Sequence, residues 1–206
     1  MPNVTGKSIL VASAHHRDPV VREATRRLRD LGAVVVVQVV NDGAVDDMRT
    51  LAAELLAHEP RIDVLAHVGE RRSFDATVVQ PYLLTRLLAD RVADSRGRVL
   101  WSVGPEHRAA TLDLDDAAVQ GRQSDGAHQL ARALLVHEGA RRHDRIGWAS
   151  FEPDAATLVQ LCGTDERLRG GHFVGGVRVA DAPAASEVDA ASRTWDRCAM
   201  AARLEP

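Results

Sequence analysis

The residues of this chain best suited to move protons follow the predicted strands of a single sheet. Histidine, serine and carboxylate side chains come directly after several of these strands, and further polar residues lie in the first turn of a long helix. Histidines and carboxylates in one site are the usual groups of general acid–base catalysis. Because ligands of open α/β sheets bind outside the carboxyl ends of the strands, these side chains are expected to share a crevice. The candidate catalytic residues are Asp125, His107, His67, Gln129, Ser102 and Glu152.

The elements that must position these residues are visible in the hydrophobic pattern. Apolar runs of β-branched residues alternate with longer stretches of helical period, which predicts an α/β fold with a mostly parallel sheet. We expect a Rossmann-like three-layer α/β/α sandwich that forms one domain over residues 1–206. The predicted strands are Ser8–Ala12, Ala33–Val40, Val64–His67, Arg98–Val103, Arg145–Ala149 and His172–Val174. The predicted helices are Pro19–Leu31, Val45–His58, Ala76–Ser95, Ser124–Gly139, Asp154–Cys162 and Ala185–Ala202.

Local signals mark the ends of some of these elements. Gly32 is placed to end the first helix, and Ser124 is placed to cap the helix that begins there. The pairs Gly170–Gly171 and Gly175–Gly176 are interpreted as turns rather than as phosphate-binding loops.

Length and composition narrow the classes of function. The 206 residues, 45% of them hydrophobic, suffice for one core, and the net charge of −3 gives no reason to expect a nucleic-acid partner. No apolar run is long enough for a membrane span, and the first residues do not have the pattern of an export signal. Two isolated cysteines, Cys162 and Cys198, do not make a disulfide framework, which fits the cytoplasm. The Arg-rich, Lys-poor composition indicates a GC-rich bacterial genome.

The first strand–turn–helix segment, residues 9–37, has the outline of a dinucleotide-binding βαβ unit. The turn of such a unit is normally rich in glycine, so that the backbone can approach a pyrophosphate. Here the turn reads ASAHHRDPV, and no glycine lies between Gly6 and Gly32. The adjacent His15 and His16 do not have metal-ligand spacing, so no metal site is predicted.

Several segments, in the right order, resemble the short-chain dehydrogenase/reductase family and in particular its retinol-dehydrogenase-like branch. The segments are RIDVLAHVG for the family's fourth strand, LLTRLLADRVADSRGRVLWS for its fourth helix and fifth strand, HRAATLDLDD for the following loop, LARALLVHEGARR for the helix of the catalytic pair, and GGHFVGGVRVADAPAASEVDAASRTWDRC for the C-terminal strand and last helix with a buried Trp. The resemblance implies a Rossmann-type fold and an NAD(P)-dependent reductase ancestry.

The functional residues of that family are not present at the matching positions. The family's phosphate-binding glycines fall on residues 15–19, its Asn-Asn-Ala-Gly on residues 66–69, and its helix-4 asparagine near Thr77. The catalytic serine falls on Gly104, and the Tyr-x-x-x-Lys pair falls on Asp125 and Gln129. Because Lys7 and Tyr82 are the only lysine and tyrosine, no Tyr-x-x-x-Lys exists in any register.

The chain is also shorter than the family pattern in the adenosine-binding half. One strand runs almost directly into the helix at Val45–His58, where the family has a further helix and strand. The sequence therefore predicts a partly truncated sheet and no NAD(P) or other cofactor.

The leading hypothesis is a cofactor-independent, non-redox enzyme of the cyclase, isomerase or dehydratase type. Asp125, in the former tyrosine position, would act as general acid or base, and His67 or His107 would carry a second proton. Gln129 would orient a carbonyl group of a small substrate. A GC-rich bacterial source would fit a specialised metabolite in natural-product biosynthesis.

Other interpretations of the same residues stay open. The role of Asp125 could be limited to stabilising the start of its helix. His67 could be a hydrogen-bonded core histidine, and His107 could pack in a loop. The protein could be a pseudoenzyme that binds or regulates a partner, or an atypical NAD(P)H-dependent reductase. A pocket filled by Trp101 or Phe151 would favour the structural role. The resemblance also implies a homodimer through the family's helices 4 and 5, which here contain PYLLTRLLADRVA and HQLARALLVHE.

Overall fold

A mostly parallel sheet runs through the centre of the protein, as the hydrophobic pattern predicts. The structure is a computed structural model that describes residues 2–15, 17–40, 44–69, 73–114 and 125–205. Within these ranges the strands are β1 (Ser8–Ser13), β2 (Val34–Val39), β3 (Val64–Val68), β4 (Arg98–Ser102), β5 (Gly147–Phe151), β6 (Arg169–Val174) and β7 (Val177–Val179). Their order is β2-β1-β3-β4-β5-β6-β7, and all neighbours are parallel except β6 and β7.

Helices cover both faces of this sheet. They are α1 (Pro19–Asp30), α2 (Val45–His58), α3 (Gln80–Asp94), α4 (Asp125–Arg142), α5 (Ala155–Gly163) and α6 (Val188–Ala201). A π-helical turn at Asp75–Val79 leads into α3, and short 3₁₀ helices lie at Pro105–Ala109 and Pro183–Ser186. One apolar core joins the sheet to α1 and α5, and the other joins it to α2, α3, α4 and α6. The three-layer α/β/α sandwich is therefore confirmed.

The predicted shortening of the sheet is visible at its first edge. β2 ends at Val39 and α2 begins at Val45, so a further helix and strand do not fit between them. β2 consequently forms one edge of the sheet instead of pairing on both sides. The end of α1 also matches the prediction, since Gly32 adopts a φ of +85° and the Ala33 N–H donates to the Leu28 carbonyl.

Three details of the prediction are wrong. β5 begins at Gly147 rather than Arg145, because the chain is still turning there, with the Ile146 N–H bonded to the His143 carbonyl. Gly170 and Gly171 lie inside β6, where Gly170 (φ +78°) is the extra residue of a β-bulge, and only the pair Gly175–Gly176 forms a turn. That turn leads into β7, a short strand that the pattern did not predict. His16 and Ser124 lie outside the described residues.

The C-terminal helix α6 packs on α4 and α3. Its Trp195 is fully buried, with its ring 4.9 Å from that of Tyr82 and 6.2 Å from that of Trp148. The family's helices 4 and 5 correspond to α3 and α4. Within the same chain, α6 therefore covers part of the helical surface that is predicted to form the dimer. Homodimerisation through these helices stays a prediction.

Candidate functional site

The six predicted catalytic residues lie at the carboxyl ends of β3, β4 and β5 and on the elements that follow them. His67 is in β3, Ser102 ends β4 and Glu152 follows β5. His107 lies in the 3₁₀ helix Pro105–Ala109, and the remaining two residues are in the first turns of α4. The sheet therefore brings the set to one edge, and the environment of each side chain determines what it can do.

His67 is buried between β3 and α3. Its Nε2 lies 2.8 Å from Thr85 Oγ1, and that hydroxyl donates its own proton to the Pro81 carbonyl. With the hydroxyl proton on the Pro81 carbonyl, the Nε2–H tautomer of His67 completes the pair by donating to Thr85. The His67 ring also lies 4.8 Å from the ring of Trp101, which is itself buried. This is the arrangement of a hydrogen-bonded core histidine.

Ser102 and Gln129 hold backbone groups of the neighbouring loops. Ser102 Oγ accepts a hydrogen bond of 3.1 Å from the Gly69 N–H. Gln129 Oε1 accepts one of 3.0 Å from the Gly104 N–H, while His107 Nδ1 donates to the Gly104 carbonyl at 2.7 Å. All three side chains are buried. These hydrogen bonds fasten the loops after β3 and β4.

A second histidine, which the sequence did not single out, lies against His107. The ring centroids of His107 and His172 are 4.9 Å apart, and His172 Nδ1 lies 2.9 Å from Ser150 Oγ. Burial, together with the nearby His107, lowers the pKa of His172 to about 4. Its Nε2 is inaccessible and bonds to no described residue. At neutral pH the His172 imidazole is therefore uncharged.

The two carboxylates of the predicted set are more open. Asp125 is exposed at the start of α4, where a negative charge stabilises the helix. One turn on, His128 is buried against Phe74, and burial lowers its pKa although Asp125 opposes that effect. Glu152 is partly exposed and lies 4.0 Å from the Arg108 guanidinium.

Arg132 is a buried charged residue of this edge that the sequence analysis did not single out. Its guanidinium donates to the Gly69 carbonyl at 2.9 Å and to the His67 carbonyl at 3.3 Å, and it lies 5.4 Å above the Trp101 ring. Arg132 follows Asp125 by seven residues and therefore shares its helix face. This shared face with Asp125 was the available signal.

A small cavity lies among some of the described side chains. The cavity bounded by His67, Gly69, Thr77 and Arg132 measures about 10 Å³, which is room for a single water molecule. Trp101 and Phe151 are both fully buried in the sheet, Trp101 in the core that joins α3 and α4 and Phe151 in the core that joins α1 and α5. Within the described ranges, no three His, Cys, Asp or Glu side chains converge where a metal ion could bind.

The amino terminus of α1, on the same edge of the sheet, is occupied by a side chain. Asp18 Oδ1 accepts hydrogen bonds from the Val20 N–H at 2.8 Å and the Val21 N–H at 3.2 Å. Pro19, at the first helical position, has no N–H to offer. The other oxygen of Asp18 reaches the end of β3, since a β-carbon on Gly69 would lie 3.4 Å from it. A carboxylate therefore caps this helix between β1 and β3.

Comparison with known proteins identifies the architecture. No protein-family profile and no curated protein sequence matches the chain. A variant of a Serratia marcescens short-chain dehydrogenase/reductase superposes with a TM-score of 0.65 and 14% identity, over 84% of this chain and 96% of that chain. A short chain dehydrogenase from Shigella flexneri 2a str. 301, solved in complex with NADP, gives a TM-score of 0.68 and 14% identity, over 86% of this chain and 100% of that chain. This chain has the short-chain dehydrogenase/reductase (SDR) fold.

An oxidoreductase from E. coli gives the same result, with a TM-score of 0.66 and 15% identity over 84% of this chain and 96% of that chain. Sequence identities this low show the SDR fold alone. The assignment to the retinol-dehydrogenase-like branch stays a prediction. In the described residues no helix is both long and apolar enough to cross a membrane.

Proposed function

We propose that this SDR-fold chain is a binding protein that uses no NAD(P), and that its crevice residues stabilise loops instead of transferring hydride. The observation that carries the proposal is the Asp18 carboxylate at the amino terminus of α1. An anion at a helix amino terminus accepts the free N–H groups and is favoured by the helix dipole. In this chain the anion is part of the protein.

A dinucleotide does not fit the residues around α1. Its pyrophosphate would need the N–H groups of Val20 and Val21, which already donate to Asp18. It would also approach a fixed negative charge, and Pro19 removes one donor from the first turn. The strand and helix that would extend the adenosine half beyond β2 are missing as well. Together, these features support the proposed loss of cofactor binding.

The crevice residues support the same proposal. A catalytic base must be within reach of a proton on the substrate. His67, His107 and Gln129 are buried, and the contacts described above direct them at Thr85 and at the Gly104 backbone. These three side chains therefore position the loops after β3 and β4. A rigid edge of this kind suits a scaffold that presents its surface to a partner.

Calorimetric titration with NADPH and then NADH tests the proposal. We expect no saturable heat up to millimolar cofactor for the wild-type chain. The matched variant Asp18→Asn keeps the cap, because an amide oxygen accepts the same hydrogen bonds, and removes the charge. We expect this variant to behave like the wild type, since the N–H groups stay occupied. Micromolar binding by the wild type would refute the proposal.

Acid–base catalysis at Asp125 is a second candidate, because this side chain is the exposed member of the predicted catalytic set. A thermal-shift screen of small carbonyl and carboxylic metabolites would identify a compound that stabilises the wild type. We then expect Asp125→Asn to abolish turnover of that compound while the fold stays intact. Full activity of the variant would exclude Asp125 as the acid or base.

A further inference from the structure

In the described residues, β2 is an edge strand that pairs with β1 on one side only. The N–H groups of Val34 and Val40 donate to carbonyls of the β1 side, at Lys7 and Ser13. In a parallel strand, alternate residues direct their N–H and C=O to opposite neighbours. The backbone groups of residues 35, 37 and 39 therefore point away from the sheet. Val34 is 61% exposed at the start of this edge.

A groove runs alongside this edge, between β2 and α1. Its volume is about 740 Å³. Arg22, Thr25, Arg26 and Arg29 line it from α1 at helical spacing, and Val37 lines it from β2. Thr25 is 8% exposed, and its hydroxyl bonds to no described residue. The groove thus combines an apolar strand, a buried unpartnered hydroxyl and three guanidinium groups.

The charges of the groove are only partly balanced. Arg26 pairs with Glu23 at 2.8 Å and with Asp30 at 2.9 Å. Arg29 donates to the outward carbonyl of Val35 at 2.9 Å. No side-chain hydrogen bond or ion pair within the described residues involves Arg22. The lining therefore carries three positive and two negative side chains, with Arg22 open to a ligand.

We propose that the β2 edge and this groove bind an extended acidic segment of a partner protein, which adds a strand to the sheet. The proposal rests on the binding function proposed above and names its surface. Main-chain hydrogen bonds to residues 35, 37 and 39 supply affinity, and alternate side chains supply specificity. Acidic side chains on the α1 side of the added strand meet Arg22 and Arg29.

Two side chains now cover the edge in place of that segment. Arg29 bonds the Val35 carbonyl, and Gln38 Nε2 donates to the Val39 carbonyl at 2.9 Å. Such cover is how proteins keep an exposed edge from pairing at random. On binding, N–H groups of the added strand replace both donors, and Arg29 becomes available to a carboxylate.

A second copy of this chain fits the surface less well. Two β2 edges paired about a two-fold axis would set the stripe of Arg22, Arg26 and Arg29 against itself. Each stripe carries only Glu23 and Asp30 as counter-charges. Like charges face to face oppose association, whereas an acidic strand is complementary.

The test uses two labelled peptides as long as β2, one of alternating threonine and glutamate and one of alternating threonine and lysine. Fluorescence anisotropy with the full chain is expected to give saturable binding of the glutamate peptide alone, weakening as salt is raised. Arg22→Glu is expected to weaken this binding by at least about tenfold. Arg193→Glu, the same charge change at an exposed position of α6, is expected to leave it unchanged.

Val37→Pro tests the strand addition itself. The Val37 N–H points away from β1, so proline removes a donor to the ligand without breaking a bond of the sheet. We expect this variant to lose glutamate-peptide binding while its thermal unfolding and circular dichroism stay close to those of the wild type. Arg22→Glu supplies the independent check, because it alters an exposed side chain only.

Three results would overturn the inference: no saturation below millimolar peptide, equal binding of both peptides, or equal effects of Arg22→Glu and Arg193→Glu. A wild-type dimer that Val37→Pro dissociates in sedimentation would assign the edge to a second copy and would also overturn it. The NADPH titration is separate from these assays. If the peptides do not bind and NADPH does not bind either, the inferred peptide-binding surface is refuted. The proposal that the protein uses no NAD(P) is then unaffected.

Discussion

At the scale of single residues, Asp18 caps α1, and under the proposed function it takes the place of a bound phosphate. Its oxygen satisfies two N–H groups that would otherwise have no partner within α1. We expect Asp18→Ala to lower the free energy of unfolding by about 1 kcal/mol, the usual contribution of such a cap. Urea unfolding at neutral pH measures this difference. Asp18→Asn, which keeps the cap, should stay close to the wild type, and an unchanged Asp18→Ala variant would contradict the capping role.

The sequence located the crevice residues better than it located their partners. His67, Ser102, His107 and Gln129 all reach the predicted edge of the sheet because strand ends are readable from hydrophobic patterns. Two of their partners were not readable, since Thr85 lies 18 residues from His67 and Gly104 lies 25 residues from Gln129. His172 was hidden inside a strand, and its contact with His107 depends on how β6 and the 3₁₀ helix at Pro105–Ala109 approach each other. Such pairs follow from tertiary packing.

At the scale of elements, α4 and β5 approach so closely that one glycine is required. A β-carbon on Gly139 would lie 2.6 Å from the Trp148 ring, well inside contact distance. Alanine favours a helix over glycine by about 1 kcal/mol, but overpacking a core costs about 1–3 kcal/mol. We therefore expect Gly139→Ala to destabilise the protein in thermal unfolding.

A double-mutant cycle separates the two effects. In a Trp148→Phe background the smaller ring leaves room for the added methyl group, so Gly139→Ala should cost less there than in the wild type. An equal cost in both backgrounds would show that the Trp148 contact is not the cause.

The ends of helices and strands were predicted correctly where local sequence signals determine them. They were predicted wrongly where tertiary contacts determine them. α1 ends at the predicted glycine because the Gly32 conformation is local. The start of β5 depends on the turn after α4, and the bulge at Gly170 depends on the register between β5 and β6. β7 is a three-residue strand that pairs, among the described residues, with β6 alone, and it is too short for its periodicity to reveal it.

At the scale of the whole molecule, the chain has the SDR fold, and the proposed loss of dinucleotide binding rests on two of its regions. The helix α1 is capped by its own carboxylate, and the sheet stops at β2. On the opposite core, α6 adds a helix over α4 and buries Trp195. The β2 edge is therefore a surface separate from the helical faces of α3 and α4, through which homodimerisation stays a prediction.

The pH dependence of global stability should reflect histidines that the fold buries in the neutral form. Burial lowers the pKa of His128, His143 and His172, and that of His172 reaches about 4. Below about pH 6.5 the unfolded chain binds protons that the folded chain does not, so stability is complete at neutral pH and is lost as the pH falls. For His172 alone the loss between pH 7 and pH 5 should be about 2 kcal/mol.

Urea unfolding at those two pH values checks this expectation, with His172→Gln as the test variant. Removing the buried imidazole should flatten the dependence on pH, whatever its effect on stability at pH 7. The matched variant His58→Gln, at an exposed position of α2, should keep the wild-type slope. Because the comparison concerns slopes, a general weakening of the core by His172→Gln cannot imitate the result. Parallel curves for the wild type and His172→Gln would show that His172 is already protonated in the folded protein near pH 5, or that its folded and unfolded pKa values are alike.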